Sequence, residues 1–331
     1  MSQYLKRALE LVPKVTRNIA GAKDVDMFGD YRKNYKYKSK FGLLGPVSAG
    51  KSSLCAGIVY ECQNESATDP NFYCRVISSD SPILKDANNL RIGKFPEKTD
   101  PTVADPPEAA LLISRTKLIN NSGVFVPVCD VAGEVSDYLN DVSEGYTAAE
   151  KIRNREGTVN RRVIDTVRDC QGFILTLDAN DSILFREHYE SLDSDNYMHN
   201  VLTNIFEWRR RTGRPDPHII IVLTKWDTVM TRAKDLQMDA YDGEHGLQRF
   251  LDNGFPALSM LLKPLRDKGM VRFFRSWFNL ERDEDQNVVY WKGTTKPKIK
   301  IIENERSYIR FKPDCSSPDY KLLIDHIASF G

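Results

Sequence analysis

The sequence predicts a three-layer α/β fold, with a mainly parallel central sheet, one antiparallel edge strand and helices on both faces. Three observations lead there. Short strand-like runs at 41–44, 173–177, 218–223 and 271–275 are separated by helix-compatible stretches, the alternation that builds parallel sheets. In His218-Ile219-Ile220-Ile221-Val222-Leu223 the five residues after the histidine are apolar at successive positions, so a strand there must be covered on both faces. Two further runs, 109–119 and 123–129, are separated by Asn120-Asn121-Ser122 and read as adjacent antiparallel strands.

In chain order, Leu5, Leu9, Val12, Val15 and Ile19 recur at helical spacing over 3–20, with Lys6, Arg7, Lys14 and Arg17 on other faces. Pro13 kinks or divides this amphipathic helix. The five aliphatic positions favour packing against protein over lying on a membrane. A basic, aromatic stretch (31–40) leads into a strand at Phe41-Gly42-Leu43-Leu44, and a helix starts near Lys51. From Cys62 to about Asp105 the chain is polar and punctuated by Asn, Asp, Ser and Pro, long for a connection. After the antiparallel pair, a polar, mostly helical stretch to Asp169 precedes the strand at 173–177, and a helix spans about 198–211. Helices follow the 218–223 strand to Asp267, Val271-Arg272-Phe273-Phe274-Arg275 is the last core strand, and 319–329 is a closing helix. Residues 288–311 alternate as one or two exposed hairpin strands. The organisation expected is a helical extension over 1–36 and one domain over 37–331 with insertions near 62–98 and 279–314.

Composition excludes several classes. The chain of 331 residues is 41% hydrophobic and 28% charged, as globular proteins are, so wholesale disorder is excluded. Its 47 basic and 46 acidic residues leave a net charge of +1, which gives no global field to draw nucleic acid or an anionic membrane, so any polyanion site must be local. No apolar run reaches the roughly eighteen residues of a transmembrane helix, and neither terminus carries a signal-peptide or lipidation pattern. The expectation is a cytoplasmic protein. Cys55, Cys62, Cys74, Cys129, Cys170 and Cys315 are scattered without zinc-ligand spacing and are expected as reduced thiols, Cys55 and Cys129 as small buried hydrophobes.

Gly45-Pro46-Val47-Ser48-Ala49-Gly50-Lys51-Ser52 fits the phosphate-binding GxxxxGK[ST] pattern, with a strand before it and a helix after. Its glycines let backbone N–H groups curl around a β-phosphate and the helix N-terminus adds positive potential. Lys51 reaches β and γ oxygens, and Ser52 holds Mg²⁺. Asp130-Val131-Ala132-Gly133 follows an apolar strand, which puts the Asp130 carboxylate at the edge where α/β folds bind ligands. Asp130 can hold a water on Mg²⁺, and Gly133 can offer its N–H to a γ-phosphate. Thr224-Lys225-Trp226-Asp227 ends the strongest strand. A carboxylate there accepts two hydrogen bonds from guanine N1–H and N2–H₂, a pair adenine does not offer, while Lys225 lies along the base plane.

These ordered boxes resemble the Ras-like, translation-factor-related class of P-loop GTPases over about residues 37–278 and the final helix. The resemblance implies GTP or GDP with Mg²⁺. It implies nucleotide contacts from Gly45, Val47, Ser48, Ala49, Gly50, Lys51, Ser52, Ser53, Gly133, Thr224, Lys225, Asp227 and Ser276, the last as a degenerate base-contacting box. Ser276 also reads as a strand-end serine that satisfies its own backbone. Metal contacts fall to Ser52, Thr102 and Asp130, and the catalytic set to Lys51, Thr102 and Glu134. Asp100-Pro101-Thr102 is similar to the family's switch threonine box, with Thr99 as the alternative.

Two departures bear on hydrolysis. Glu134 stands where small GTPases carry a water-positioning glutamine, and its charge is repelled by phosphate. Val47 replaces a common glycine and narrows the space for an inserted arginine, so turnover is expected to be slow or to need a partner. Lys151, Arg153, Arg155, Arg161, Arg162 and Arg168 offer an internal arginine finger or, more simply, a solvated helix face. The chain also resembles GTPases of prokaryotic conflict and defence clusters, which implies a switch in a multi-protein system with protein effectors or activators. The competing readings are a GTP-dependent assembly module that barely hydrolyses and a P-loop ATPase or kinase, for which Thr224–Asp227 has no use.

Overall fold

A computed structural model describes residues 37–46, 48–68, 73–76, 82–96, 108–114, 123–129, 170–185, 194–235, 241, 243–294, 296–303, 311–314 and 319–330. The expected N-terminal helix over 3–20 and the helical stretch before Asp169 lie outside the described residues.

The chain runs β1 (Tyr37–Leu44), α1 (Lys51–Thr68), β2 (Tyr73–Val76), α2 (Pro82–Arg91), β3 (Glu108–Ser114), β4 (Gly123–Cys129) and β5 (Gly172–Asp178). It continues with α3 (Ser194–Arg211), β6 (His218–Thr224), α4 (Trp226–Asp235), α5 (Gly243–Gly254), α6 (Pro256–Asp267) and β7 (Val271–Ser276). The short strands β8 (Ile301–Glu303) and β9 (Phe311–Pro313) and the helix α7 (Asp319–Ala328) complete it. Seven strands form one sheet in the order β2-β3-β4-β1-β5-β6-β7, and β8 and β9 form a separate two-stranded sheet.

The α/β class and the mainly parallel sheet are as expected. β1 runs parallel to β4 and β5, β5 to β6, and β6 to β7. β3 is antiparallel to β4, with Glu108 opposite Cys129 and Ile113 opposite Val124. An additional strand, β2, pairs antiparallel with β3 through Tyr73 opposite Ser114, so the antiparallel strand sits one position in from that edge. β2 and α2 both fall in the segment read from the sequence as a polar connection. Four residues are too few to reveal a strand period, but Pro82 at the helix start and the buried Ala87 and Leu90 three residues apart are a helix signature.

Strand parity divides the core. Phe173, Leu175 and Leu177 of β5 and Ile219, Ile221 and Leu223 of β6 face one layer, packing with Met198, Leu202, Phe250 and Leu258 of α3, α5 and α6. The alternate residues Ile174, Ile220 and Val222 face the other, with Leu54, Ile58, Leu90 and Leu323 of α1, α2 and α7. This is the two-sided cover that the unbroken apolar runs require. α1 and α7 touch at Gly57, where a Cβ would lie 2.5 Å from the Tyr320 hydroxyl. The two segments expected as insertions meet each other: Ile299 N–H donates to the Gly93 carbonyl at 2.8 Å, and Lys94 bridges antiparallel to Lys298. The hairpin expected over 288–311 is mostly isolated bridges, such as Tyr290 opposite Pro297, with β8 and β9 as its regular part. Cys55 and Cys170 are buried free thiols.

At the opposite end of the sheet from the loop after β1, the turn following α7 is held by aromatic contacts. The Phe330 ring packs at a tilt against Phe41 and His218, with centroids 4.9 and 4.8 Å apart, and edge-on against His326 at 5.2 Å, and its carbonyl accepts a 2.8 Å bond from the Ser39 hydroxyl. Burial lowers the pKa of both histidines; Arg272 and His218 push His326 further down, against Glu244. A depressed folded-state pKa means the unfolded chain takes up protons more readily, so the stabilisation is present above the unfolded value of about 6.5 and is lost as pH falls below it. Thermal melting is therefore expected to drop between about pH 7.5 and pH 5.5, and His326→Phe to remove part of that drop. An unchanged pH dependence in the variant would show that His326 does not titrate on folding.

Candidate functional site

The parallel strands β1, β4, β5, β6 and β7 all end at one edge of the sheet, at Leu44, Cys129, Asp178, Thr224 and Ser276. Loops leaving this edge form the crevice in which open α/β sheets bind ligands.

The glycine-rich loop leaves β1 and turns into α1. Ser48 and Gly50 both have left-handed backbone, with φ of 64° and 81°, on either side of Ala49. Alternation of this kind makes the concave N–H nests that hold anions. The ladder of α1 begins with Leu54 N–H donating to Gly50 O at 2.8 Å, so the amides of the first turn, Lys51 to Ser53, point out of the helix end toward the loop. Lys51 folds back over the loop, its Nζ donating to the carbonyls of Gly45 and Pro46 at 2.8 Å each, and is largely buried. The loop thus combines a helix N-terminus, a nest and an ammonium group, the three features that favour a phosphate.

Two contacts fix this loop against the neighbouring strands. A Cβ at Gly45 would lie 2.1 Å from Thr176 Oγ1 and 2.6 Å from Thr176 O of β5, so only glycine lets the chain pass. On β6, the buried Thr224 hydroxyl donates to Ala49 O at 2.9 Å, with Leu177 O as a second acceptor at 3.1 Å. Thr224 therefore ties the Thr-Lys-x-Asp segment directly to the phosphate-type loop.

Lys225 also has left-handed backbone, with φ of 54°, and its ammonium pairs with the Asp178 carboxylate at the end of β5. The other Asp178 oxygen accepts from Asn180 N–H at 2.9 Å. Trp226 is buried in the core against Phe250, which anchors the first turn of α4. Burial pushes the Asp227 carboxyl above the usual carboxylate range. The charge of Asp178 adds to this, whereas hydrogen bonds from the Asp227 and Thr228 amides and the charge of Lys225 oppose it. A partly desolvated carboxylate in the first turn of a helix gains most from a ligand that brings its own N–H donors.

Ser276 lies at this edge, opposite Thr224 in the register, but its hydroxyl shares a 2.7 Å buried bond with the Tyr320 phenol of α7. Its side chain is engaged in the helix layer. Val47, Thr99, Thr102, Asp130, Gly133 and Glu134, and the basic segment 151–168, lie outside the described residues; Asp130 directly follows the last residue of β4. Asp178 is the site residue that motif reading passed over. Its signal was present, an acidic residue closing a mostly apolar strand.

Among the described residues, no helix is long and apolar enough to cross a membrane, and no cluster of three or more His, Cys, Asp or Glu forms a metal cage. The fold and loop together define an α/β protein of the P-loop NTPase architecture. No family model and no curated protein matches the chain. Among solved structures it is similar to the S. cerevisiae Ski7 GTPase-like domain bound to GTP, at 14% identity over 82% of this chain and 50% of that chain, with a TM-score of 0.39. The same domain bound to GDP and inorganic phosphate matches at 15% identity over 82% and 49%, with a TM-score of 0.36. The ADP-ribosylation factor-like small COPII coat GTPase SAR1 of Encephalitozoon cuniculi, in complex with GDP, matches at 13% identity over 81% and 97%, with a TM-score of 0.25. The chain spans about half the length of the Ski7 structures. These likenesses are distant, and the residues of the site carry the functional reading.

Thr224→Val keeps the shape of the side chain and removes its donor, leaving the Ala49 and Leu177 carbonyls without it. Chemical denaturation is expected to show a loss of about 1–2 kcal/mol. Stability equal to that of the parent chain would mean that the bond between the two loops contributes nothing.

Proposed function

We propose that this chain binds GTP with Mg²⁺ and hydrolyses it to GDP and phosphate, working as a molecular switch. The observation that carries the proposal is the Thr224–Ala49 bond. It sets a phosphate-type loop and a base-type loop side by side at one sheet edge, as a nucleoside triphosphate lying across the strand ends requires.

In this reading the nest at Ser48–Gly50 and the first turn of α1 cradle the β-phosphate, and Lys51 exchanges its loop carbonyls for β and γ oxygens. The Asp227 carboxylate accepts from guanine N1–H and N2–H₂, recovering the solvation that burial removes. A serine hydroxyl at the junction of loop and helix, Ser52, fits Mg²⁺, a hard cation that keeps waters and phosphate oxygens around it and needs no cage of protein carboxylates. When bound, the ion neutralises charge between the β and γ oxygens. Asp130 would reach it through a water, Thr102 would close over it, and Gly133 and Glu134 would face the γ-phosphate. The end of β4 at Cys129, on the strand beside β1, supports that placement. Glu134 in place of a glutamine supports slow hydrolysis, or hydrolysis that waits on an activating protein. The setting we assign to the switch, a multi-protein signalling or prokaryotic defence system, rests on the sequence resemblance alone.

Isothermal titration with GTP, GDP and ATP in Mg²⁺ tests this. Guanine nucleotides are expected to bind and ATP to bind far more weakly, and Asp227→Ala to lose guanine affinity by about a hundredfold or more, the worth of two hydrogen bonds to a charged acceptor. Affinity should also fall on acidification at a higher pH than for an ordinary aspartate, because the ionised carboxylate accepts the bonds and its pKa is raised. Equal ATP binding, or no effect of Asp227→Ala, would sink the reading. Guanine binding without phosphate release would leave the assembly module in its place.

A further inference from the structure

Lys225 has two carboxylates in its neighbourhood. Asp178 comes from the end of β5 and Asp227 from the first turn of α4, and both act electrostatically within the same cluster. The lysine ammonium is paired with Asp178, whose side chain is only 8% exposed, while the lysine side chain as a whole remains 46% exposed. Its charged end is therefore tied to the sheet, while nearly half of the side chain stays open to solvent at the site edge. Asp178 is itself held on both oxygens, one by Lys225 and one by the amide of Asn180, and it caps the 3₁₀ turn Ala179–Asp181. Opposite Thr224 in the β5–β6 register, it stands directly beside the residue that joins the two loops.

We propose that Asp178 is a positioning residue of the base subsite: by holding the Lys225 ammonium it keeps that lysine from pairing with Asp227 and leaves its stem to border the flat face of a purine. The inference rests on the guanine-binding reading above and deepens it. An Asp227 carboxylate neutralised by Lys225 would have to break that pair before accepting from a base, and each such loss lowers affinity. A sequestered lysine makes Asp227 an acceptor in advance of the ligand, as preorganised sites require.

The test measures GDP affinity in Mg²⁺ for the parent chain, Asp178→Asn, Lys225→Met and the double variant, with thermal melting of each. Asparagine is chosen because it caps a helical turn as well as aspartate does, so the 3₁₀ turn survives. Asp178→Asn is expected to weaken GDP about tenfold or more, with little further loss when Lys225 is already methionine, because both changes remove one interaction. Its melting temperature should stay near that of the parent. The pH profile of affinity supplies a readout that a purely structural role would not move. In Asp178→Asn the acid limb should shift to lower pH, because a negative charge near Asp227 is gone and Lys225 is released toward it. Parent-like affinity in Asp178→Asn, losses that simply add in the double variant, or an unmoved acid limb would overturn the inference while the guanine reading stands. A parent chain that binds no guanine nucleotide would overturn both.

Discussion

The site depends on a close passage of backbone. Gly45 crosses Thr176 of β5 at a separation no side chain fits, and the loop that follows is then bonded through Ala49 to the Thr224 hydroxyl of β6. Because β1, β5 and β6 lie side by side and run the same way, their ends arrive together and one hydroxyl spans two loops that are 175 residues apart in the chain. The left-handed turn at Ser48 and Gly50, the start of α1 and the direction of Lys51 all follow from where that loop is held.

Behind this edge, the core keeps the strand ends from shifting. β6 is buried on alternate sides by two separate helix layers, and Trp226 carries that packing into the first turn of α4. The charged residue next to it, Asp227, is thereby seated on a rigid base although it is partly open, a setting in which burial can raise its pKa without misplacing it. Asp195 of α3 plays a similar part at a distance: its carboxylate accepts the Ala257 and Leu258 amides at 2.9 and 2.8 Å and so caps α6, whose own N-cap residue, Phe255, has no side-chain cap. The start of α6 is thus secured by another helix.

Much of this was legible in the sequence. The unbroken apolar run at 219–223 announced a strand covered on both faces, and Gly45–Ser52 announced a tight glycine-rich loop between a strand and a helix, because both signals are local and strong. The edge strand β2 escaped because four residues carry no period, and the regular part of the 288–311 hairpin proved shorter than its alternation implied. Ser276 was placed correctly at the end of its strand, yet its hydroxyl turns to Tyr320, a partner 44 residues away that no local pattern reveals.

The sequence by itself determined which groups have the chemistry for a nucleotide: a nest with a lysine and a serine, and a carboxylate on a strand end, each encoded within a handful of neighbouring residues. Only the tertiary structure decided how those groups are paired. That Thr224 bonds Ala49, that Asp178 and not Asp227 holds the Lys225 ammonium, and that the Ser276 hydroxyl is engaged in the core are consequences of strand order and register. The physical reason is that hydrogen bonds and ion pairs act over a few ångströms, and which residues come that close is settled by packing the sheet and its two helix layers.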